Sequence, residues 1–106
     1  MAMLKFEVPN TLTVEEGKKR VEALLDYWKR KYNVTSAWNG VKATMSGKAM
    51  GVSIDGNLEV HGAKIAGEAA DPGFLLRGQA QKYLQRKFAE YLDPSQSLAE
   101  IIKRES

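Results

Sequence analysis

Hydrophobic and polar residues alternate at the start of the chain. In the segment LKFEVP, which begins at Leu4, every second side chain is apolar and the residues between are charged or polar. A period of two predicts a β-strand with one buried face. Pro9 and Asn10 follow and end the strand.

The period then changes to that of a helix. In the segment TVEEGKKRVEALLDYWKRKYN, apolar residues recur every three or four positions and charged residues cover the opposite side. Thr13 is the predicted N-cap, and Glu16 completes a capping box. Gly17 falls on the apolar stripe, which predicts a close approach of the helix to the sheet. The full stripe is Val14, Gly17, Val21, Leu24, Leu25, Trp28 and Tyr32.

Three glycine-containing dipeptides punctuate the next segment: Asn39-Gly40, Ser46-Gly47 and Asp55-Gly56. Two-residue loops at the first two, and a three-residue loop from Asp55 to Asn57, keep the apolar side chains on one face of a sheet. The predicted result is a four-stranded antiparallel meander in which Trp38 pairs with Val41, Ala43 with Met50, and Ile54 with Leu58. A phosphate-binding loop is excluded because the GxxxxGK[ST] spacing is not met.

The end of the chain is predicted to be helical. The segment HGAKIAGEAA is either a continuation of the last strand or a connecting loop. Asp71 is the predicted N-cap of a second helix, with Pro72 in its first position. Asp93-Pro94 ends that helix, and a short third helix follows. The apolar stripe of the second helix is Leu76, Ala80, Tyr83, Leu84, Phe88 and Tyr91, and that of the third is Leu98, Ile101 and Ile102.

These elements predict one α+β domain of order β-α-β-β-β-β-α with a terminal helix. Both long helices would cover the same face of an antiparallel sheet in a two-layer sandwich. The core would span about residues 3–92, and residues 93–106 would form a short helix or tail. The other sheet face is either solvated or the surface of a homodimer. Its predicted residues are Thr35, Ala37, Lys42, Thr44, Ala49, Gly51, Ser53, Glu59 and His61.

Composition narrows the function classes. The chain has 106 residues, 43% of them hydrophobic and 27% charged, as in ordinary globular domains. The net charge of +3 is too small for the dense basic patch of a dedicated nucleic-acid binder. With no cysteine, no signal peptide and no apolar run of about 18 residues, we expect a cytoplasmic protein without a membrane span. The single histidine, His61, has no nucleophile or ligand set beside it, so we expect no enzyme, metal or cofactor.

Two groups of residues are candidates for binding. Arg77, Lys82 and Arg86 make the second helix basic, which fits either a solubilising surface or a site for an anionic partner. A second candidate is a cavity between helix and sheet for a small apolar ligand. Its lining would be Trp28, Tyr32 and Trp38, the alternative being that these residues fill the core.

The segments LTVEEGKKRVEALLDYWKRKY, WNG, SGKAMGVSIDGNLEV and KFAEYLD resemble those of the putative polyhydroxyalkanoic acid system proteins, small bacterial proteins associated with polyester-storage genes. The resemblance covers about residues 4–92. Where that family has His-x-Leu before the first helix, this chain has Asn10 and Leu12, and a usual Phe is replaced near Thr44. The resemblance implies association with polyester granules or their regulation, and it brings no catalytic residues.

The leading functional expectation is therefore a non-enzymatic cytoplasmic interaction module whose partner is a protein or a granule surface. The alternatives are a binder of a small apolar ligand and a weak nucleic-acid binder.

Overall fold

Five strands and three helices form the part of the chain that the computed structural model describes, residues 3–49, 52–70 and 73–105. In chain order they are β1 (Met3–Pro9), α1 (Val14–Tyr32), β2 (Thr35–Asn39), β3 (Lys42–Ala49), β4 (Val52–Val60), β5 (Lys64–Ala70), α2 (Phe74–Tyr91) and α3 (Leu98–Glu105).

The strands form one antiparallel sheet of order β1-β5-β4-β3-β2. The four strands after α1 follow one another as a meander, and β1 closes the far side by pairing with β5. The predicted α+β class is confirmed, because the helices share a buried core with one face of this sheet. The sheet side of that core comprises Phe6, Val8, Ala43, Met45, Leu58, Val60 and Ile65.

The predicted turns of the meander are wrong. The first loop is Gly40-Val41, so Trp38 pairs with Ala43 and not with Val41. This two-residue shift keeps every side chain on its predicted face, but it leaves Val41 exposed in the loop. Gly40 has φ 65°, and a glycine with positive φ is favoured in the first position of a two-residue hairpin loop.

The other two predicted loops lie inside strands. β3 runs straight through Ser46-Gly47, and β4 runs straight through Asp55-Gly56, so the two strands form one long hairpin. Residues 50–51, which connect the two strands, lie outside the described residues, and so does Gly51 of the predicted outer face. The pairing of Ala43 with Met50 is replaced by Ala43 with Leu58. In the observed register Ser53 pairs with Lys48, in phase with Thr44 of the predicted outer face, whereas Ala49 pairs with Val52, in phase with Ala43.

Close packing explains the glycines inside these strands. A Cβ on Gly47 would lie 3.0 Å from the Cα of Val34, where the chain passes from α1 into β2. A Cβ on Gly56 would lie 2.6 Å from the carbonyl oxygen of Glu68 in the neighbouring strand. Glycine within a strand marks such close approaches as well as turns, and here it marks close approaches.

The segment HGAKIAGEAA does not continue the preceding strand, and most of it is not a connecting loop. Lys64–Ala70 is a separate strand, β5, which lies between β1 and β4 and joins the two halves of the sheet. Gly67 in its middle faces the ring of Phe6, whose Cζ would lie 2.5 Å from an added Cβ. The small residues of β5 thus make room for large side chains of β1.

Helix α1 has the predicted start. Thr13 is its N-cap, and its Oγ1 accepts a hydrogen bond of 3.1 Å from the backbone N–H of Glu16. The Glu16 carboxylate does not complete the capping box by reaching back, because it accepts a bond from the Nε of Arg20 at 3.0 Å. The predicted close approach at Gly17 is confirmed, since an added Cβ would lie 2.9 Å from the Nδ2 of Asn10.

Helix α2 begins later than predicted, at Phe74, with Gly73 as its N-cap. Asp71 and Pro72, the predicted N-cap and first position, lie outside the described residues. Leu76 is 42% exposed and so does not belong to the buried stripe, which begins with the half-buried Ala80 and Tyr83. Helix α3 packs through Ile101, which is fully buried, while Ile102 of its predicted stripe is exposed.

Aromatic rings join the two long helices to the sheet. The ring of Phe88 in α2 stacks on Phe6 of β1 at 5.3 Å between centroids. Trp28 of α1 meets Phe88 edge-on at 6.1 Å. Such pairs contribute about 0.5–1.5 kcal/mol beyond the area they bury. This junction fixes the C-terminal half of α2 to the sheet. In the N-terminal half, residues 76–79 are all exposed, so this full turn of the helix projects beyond the core.

Candidate functional site

The outward side of α2 carries the basic residues that the sequence analysis singled out. Its sequence contains four cations and one acid, Glu90. Arg77, Lys82 and Arg86 are all exposed, and Lys82 and Arg86 share the side of the helix that the sequence predicted to face solvent. That α2 contains no acid before Glu90 follows from the sequence, whereas the exposure of its cations is a finding of the structure.

Packing differs among the α2 cations. The guanidinium of Arg86 lies over the ring of Tyr83 at 5.7 Å, which holds it near the helix surface. Lys87 is half-buried, with its Nζ 3.6 Å from the Glu90 carboxylate and 5.1 Å from the ring centre of Tyr27. Lys87 and Glu90 therefore neutralise each other, and Lys82 and Arg86 carry positive charge on the exposed side of the helix.

A shallow groove runs along this outward side. The sequence analysis did not single out most of its residues, because amides and small side chains carry no hydrophobic signal. The helical period of three to four would have placed them beside the cations. The groove is lined by Gly78, Gln81, Lys82, Gln85, Arg86 and Ala89.

The exposed face of the sheet has a different electrostatic character. The carboxylate of Glu59 lies 3.2 Å from the Nζ of Lys42 and 3.1 Å from the Nε2 of His61. At the other end, the Nζ of Lys64 lies 3.1 Å from the Glu7 carboxylate. Acids and bases alternate across neighbouring strands, so this face has no excess of either sign around these residues.

The three predicted cavity residues lie in different surroundings. Trp28 is 7% exposed, and its Nε1 donates a hydrogen bond of 3.1 Å to the hydroxyl of Tyr83. Burial raises the pKa of that hydroxyl. Trp38 is half-buried on β2, and the Nζ of Lys18 lies 5.2 Å from its ring centre. Tyr32 packs partly buried against the core.

These contacts give Trp28 a packing role in the core, where Phe88 and Tyr83 surround its ring. Trp38 and Tyr32 also pack against the core cluster from its margin. A ligand that entered between helix and sheet would have to displace such contacts. The cavity stays a prediction.

Two buried polar residues were not singled out as candidates, and both have structural partners. Asn10 binds the carbonyl of His61 and the N–H of Leu12. Arg20 binds the carbonyl oxygens of Tyr91 and Asp93. Their chemistry is used in holding elements together.

Within residues 3–49, 52–70 and 73–105, no helix is both long enough and apolar enough to cross a membrane. The same ranges contain no group of three or more acidic or histidine side chains arranged to hold a metal ion.

No curated protein and no solved structure matches the chain. A family model does match it, over residues 4–95, and its description is putative polyhydroxyalkanoic acid system protein. The match takes in all five strands and both long helices. The chain therefore belongs to the family of the putative polyhydroxyalkanoic acid system proteins.

Proposed function

We propose that the protein is a non-enzymatic, cytoplasmic interaction module that docks on the surface of polyhydroxyalkanoate granules through the outward side of α2. The observation that carries the proposal is the exposed basic side of this helix, where Lys82 and Arg86 lie one turn apart and no acid precedes Glu90 in the helix. Family membership supports a granule as the partner, since the family is described by its link to the polyhydroxyalkanoic acid system.

The chemistry of α2 suits such a surface. A polyester is apolar along its chain and carries carboxylates at its chain ends. Near the start of α2, Leu76 at 42% exposure offers an apolar contact. Farther along the helix, Lys82 offers a charge-assisted contact to a carboxylate. Arg86, held over Tyr83, presents a second cation on the same side.

The sheet face is a weaker candidate for the same role. Its lysines are paired with carboxylates in the contacts of Lys42 and Lys64. An anionic surface would have to compete with those acids, whereas it meets no acid along α2 before Glu90. This contrast favours the helix.

The test is co-sedimentation of the purified protein with isolated granules and with protein-free particles of the same polyester. The double variant Lys82→Glu/Arg86→Glu should reduce the bound fraction at least about fivefold, because it replaces both attractions by repulsions. The matched control is Lys19→Glu/Lys29→Glu, which makes the same charge change on the exposed side of α1. It should bind as the wild type does.

Equal loss in both double variants would show that net charge alone matters, and it would contradict a site on α2. Binding to native granules but not to bare polyester would move the partner to a protein of the granule coat. Loss of ligand-dependent stability in Trp38→Ala would favour the apolar-ligand alternative. A steep fall of binding to nucleic acid with salt would favour the third alternative.

A further inference from the structure

The two edge strands of the sheet, β1 and β2, differ in how far other parts of the chain cover them. Strand β1 forms one edge, and α2 packs along it. The side chain of Gln85 in α2 donates a hydrogen bond of 3.2 Å to the backbone carbonyl of Glu7, which occupies an edge acceptor. Strand β2 forms the other edge, and among the described strands it pairs with β3 alone.

The β2 edge lacks the usual protection. Natural edge strands carry charges, prolines or bulges that prevent pairing with another chain. β2 has the sequence TSAWN, with no charge and no proline, and four of its five residues are exposed. Its length of five residues is ordinary for a strand, so it offers a full set of backbone partners.

We propose that β2 pairs antiparallel with β2 of a second copy of this chain, across a twofold axis at Ala37, so that the two sheets become one ten-stranded sheet. The occupant is a second copy because β2 is complementary to itself in this register. On the inner face, the half-buried Trp38 lies opposite the small Ser36 of the partner subunit. At the axis, two alanines meet without a clash.

The hydrogen-bond pattern of the hairpin supports the same register. Asn39 and Lys42 flank the two-residue loop and form the closing pair, in which both residues bond across to each other. Bonding directions alternate along a strand, so Ser36 and Trp38 direct their backbone groups to the open edge. In the proposed dimer each Ser36 exchanges two bonds with the partner's Trp38, and Ala37 forms the close, non-bonded pair.

Charge does not oppose this approach. Lys18 of α1 lies next to β2, because its Nζ is over the ring of Trp38. Lys18 pairs with Glu22 at 4.0 Å, and farther along Arg30 pairs with Asp26 at 3.1 Å. Each of these two cations thus has an acid beside it within its own copy, which weakens the repulsion between two approaching copies. Because α2 lies at the opposite edge, each dimer would keep both α2 surfaces open.

The first test uses cysteines, since the chain has none of its own. Ala37→Cys should form an intermolecular disulfide rapidly under mild oxidation. The Cα atoms of a non-bonded pair lie about 4.5 Å apart, within the range that a disulfide spans. The matched control is Thr44→Cys, the exposed neighbour of Ala37 on β3. Its two copies would be three strand spacings apart, about 14 Å, which a disulfide cannot bridge.

The second test measures the dimer by sedimentation over a range of concentrations. Ala37→Lys should raise the dimer dissociation constant about tenfold or more, because two like charges then face each other at the axis. Thr44→Lys, with the same charge on the next strand, should leave it within about twofold of the wild type. A chain that stays monomeric at all concentrations overturns the proposal. So does a dimer that Ala37→Lys does not weaken, or equal cross-linking of the two cysteine variants.

Discussion

Asn10 uses both ends of its side-chain amide inside the protein. It is 2% exposed, its Nδ2 donates to the carbonyl of His61 at 2.8 Å, and its Oδ1 accepts from the N–H of Leu12 at 3.0 Å. It thereby ties the end of β1 both to the loop before β5 and to the start of α1. Asn10 stands where the sequence resemblance led us to note a histidine in related chains, and the structure gives the residue a structural task.

Replacing Asn10 by alanine should lower the free energy of unfolding by about 1–3 kcal/mol, because the buried amide makes two partly buried hydrogen bonds that alanine cannot replace. Urea unfolding at equilibrium measures this. Asn57→Ala is the control, since Asn57 is an exposed residue of β4, and it should change the stability by less than about 0.5 kcal/mol. A cost for Asn10→Ala as small as that of the control would contradict the assigned role.

Glycines show how far a single residue can be interpreted from sequence. Gly40 is in a loop as expected, with positive φ, whereas Gly47 and Gly56 are in strands because neighbouring backbone leaves no room for a side chain. Both uses have the same local sequence signature, a glycine after a small or polar residue. Only the contacts made by distant parts of the chain, Val34 and Glu68, distinguish them.

At the scale of elements, α1 was the most predictable part. Its period, its Thr13 cap and the close approach at Gly17 are local or nearly local signals, and all three are confirmed. The start of the buried stripe of α2 was not predictable. Leu76 has the spacing of a core residue, but it is 42% exposed. The late β5 strand was missed because its small residues carry little hydrophobic period.

Arg20 joins α1 to the end of α2. Arg20 is 5% exposed, and its guanidinium binds the Glu16 carboxylate and the carbonyl oxygens of Tyr91 and Asp93, the last at 2.7 Å. Lysine cannot reproduce this fork of donors. Arg20→Lys should therefore cost about 1.5–3 kcal/mol of unfolding free energy.

The control for Arg20 is Arg30→Lys. Arg30 pairs with Asp26 at the same spacing in the same helix, but both side chains are more than half exposed. An exposed pair contributes about 0.3–0.5 kcal/mol, so this variant should unfold nearly as the wild type does. If the two lysine variants had the same thermal midpoint, Arg20 would not be the link between the helices.

The junction of α2 and α3 should depend on pH. Hydrogen bonds from the hydroxyl and backbone N–H of Ser95 lower the pKa of the Asp93 carboxyl. At the start of α3, bonds from the backbone and side chain of Ser97 lower the pKa of Glu100. A pKa lowered by folding contributes stability that is present above the ordinary value and lost as the pH falls through the lowered one.

The double variant Asp93→Asn/Glu100→Gln should accordingly be less stable than the wild type at pH 7. The difference should shrink as the pH falls below about 4, where both wild-type carboxyls take up protons. Urea midpoints of both proteins between pH 7 and pH 3 provide the comparison. A difference that stays constant over this range would mean that the two carboxylates do not hold the junction.

For the whole molecule, the sequence predicted the sheet and the helices that cover it, and it predicted which helix is basic. It could not predict that α2 projects at one edge, because that depends on where the core ends. Nor could it show that Gln85 covers one edge strand while β2 is left open, since both facts depend on the order of strands in the sheet. The candidate surface was thus predictable in charge and not in shape.

The central claim is that the outward side of α2 contacts the granule. Because the chain has no cysteine, a fluorophore sensitive to polarity can be attached at a single site, Gln81→Cys in α2 or Asn57→Cys on the exposed sheet face. On adding polyhydroxyalkanoate granules, the emission of the dye at position 81 should shift to shorter wavelength while that at position 57 stays unchanged. A shift at position 57 alone, or at neither position, would contradict the claim.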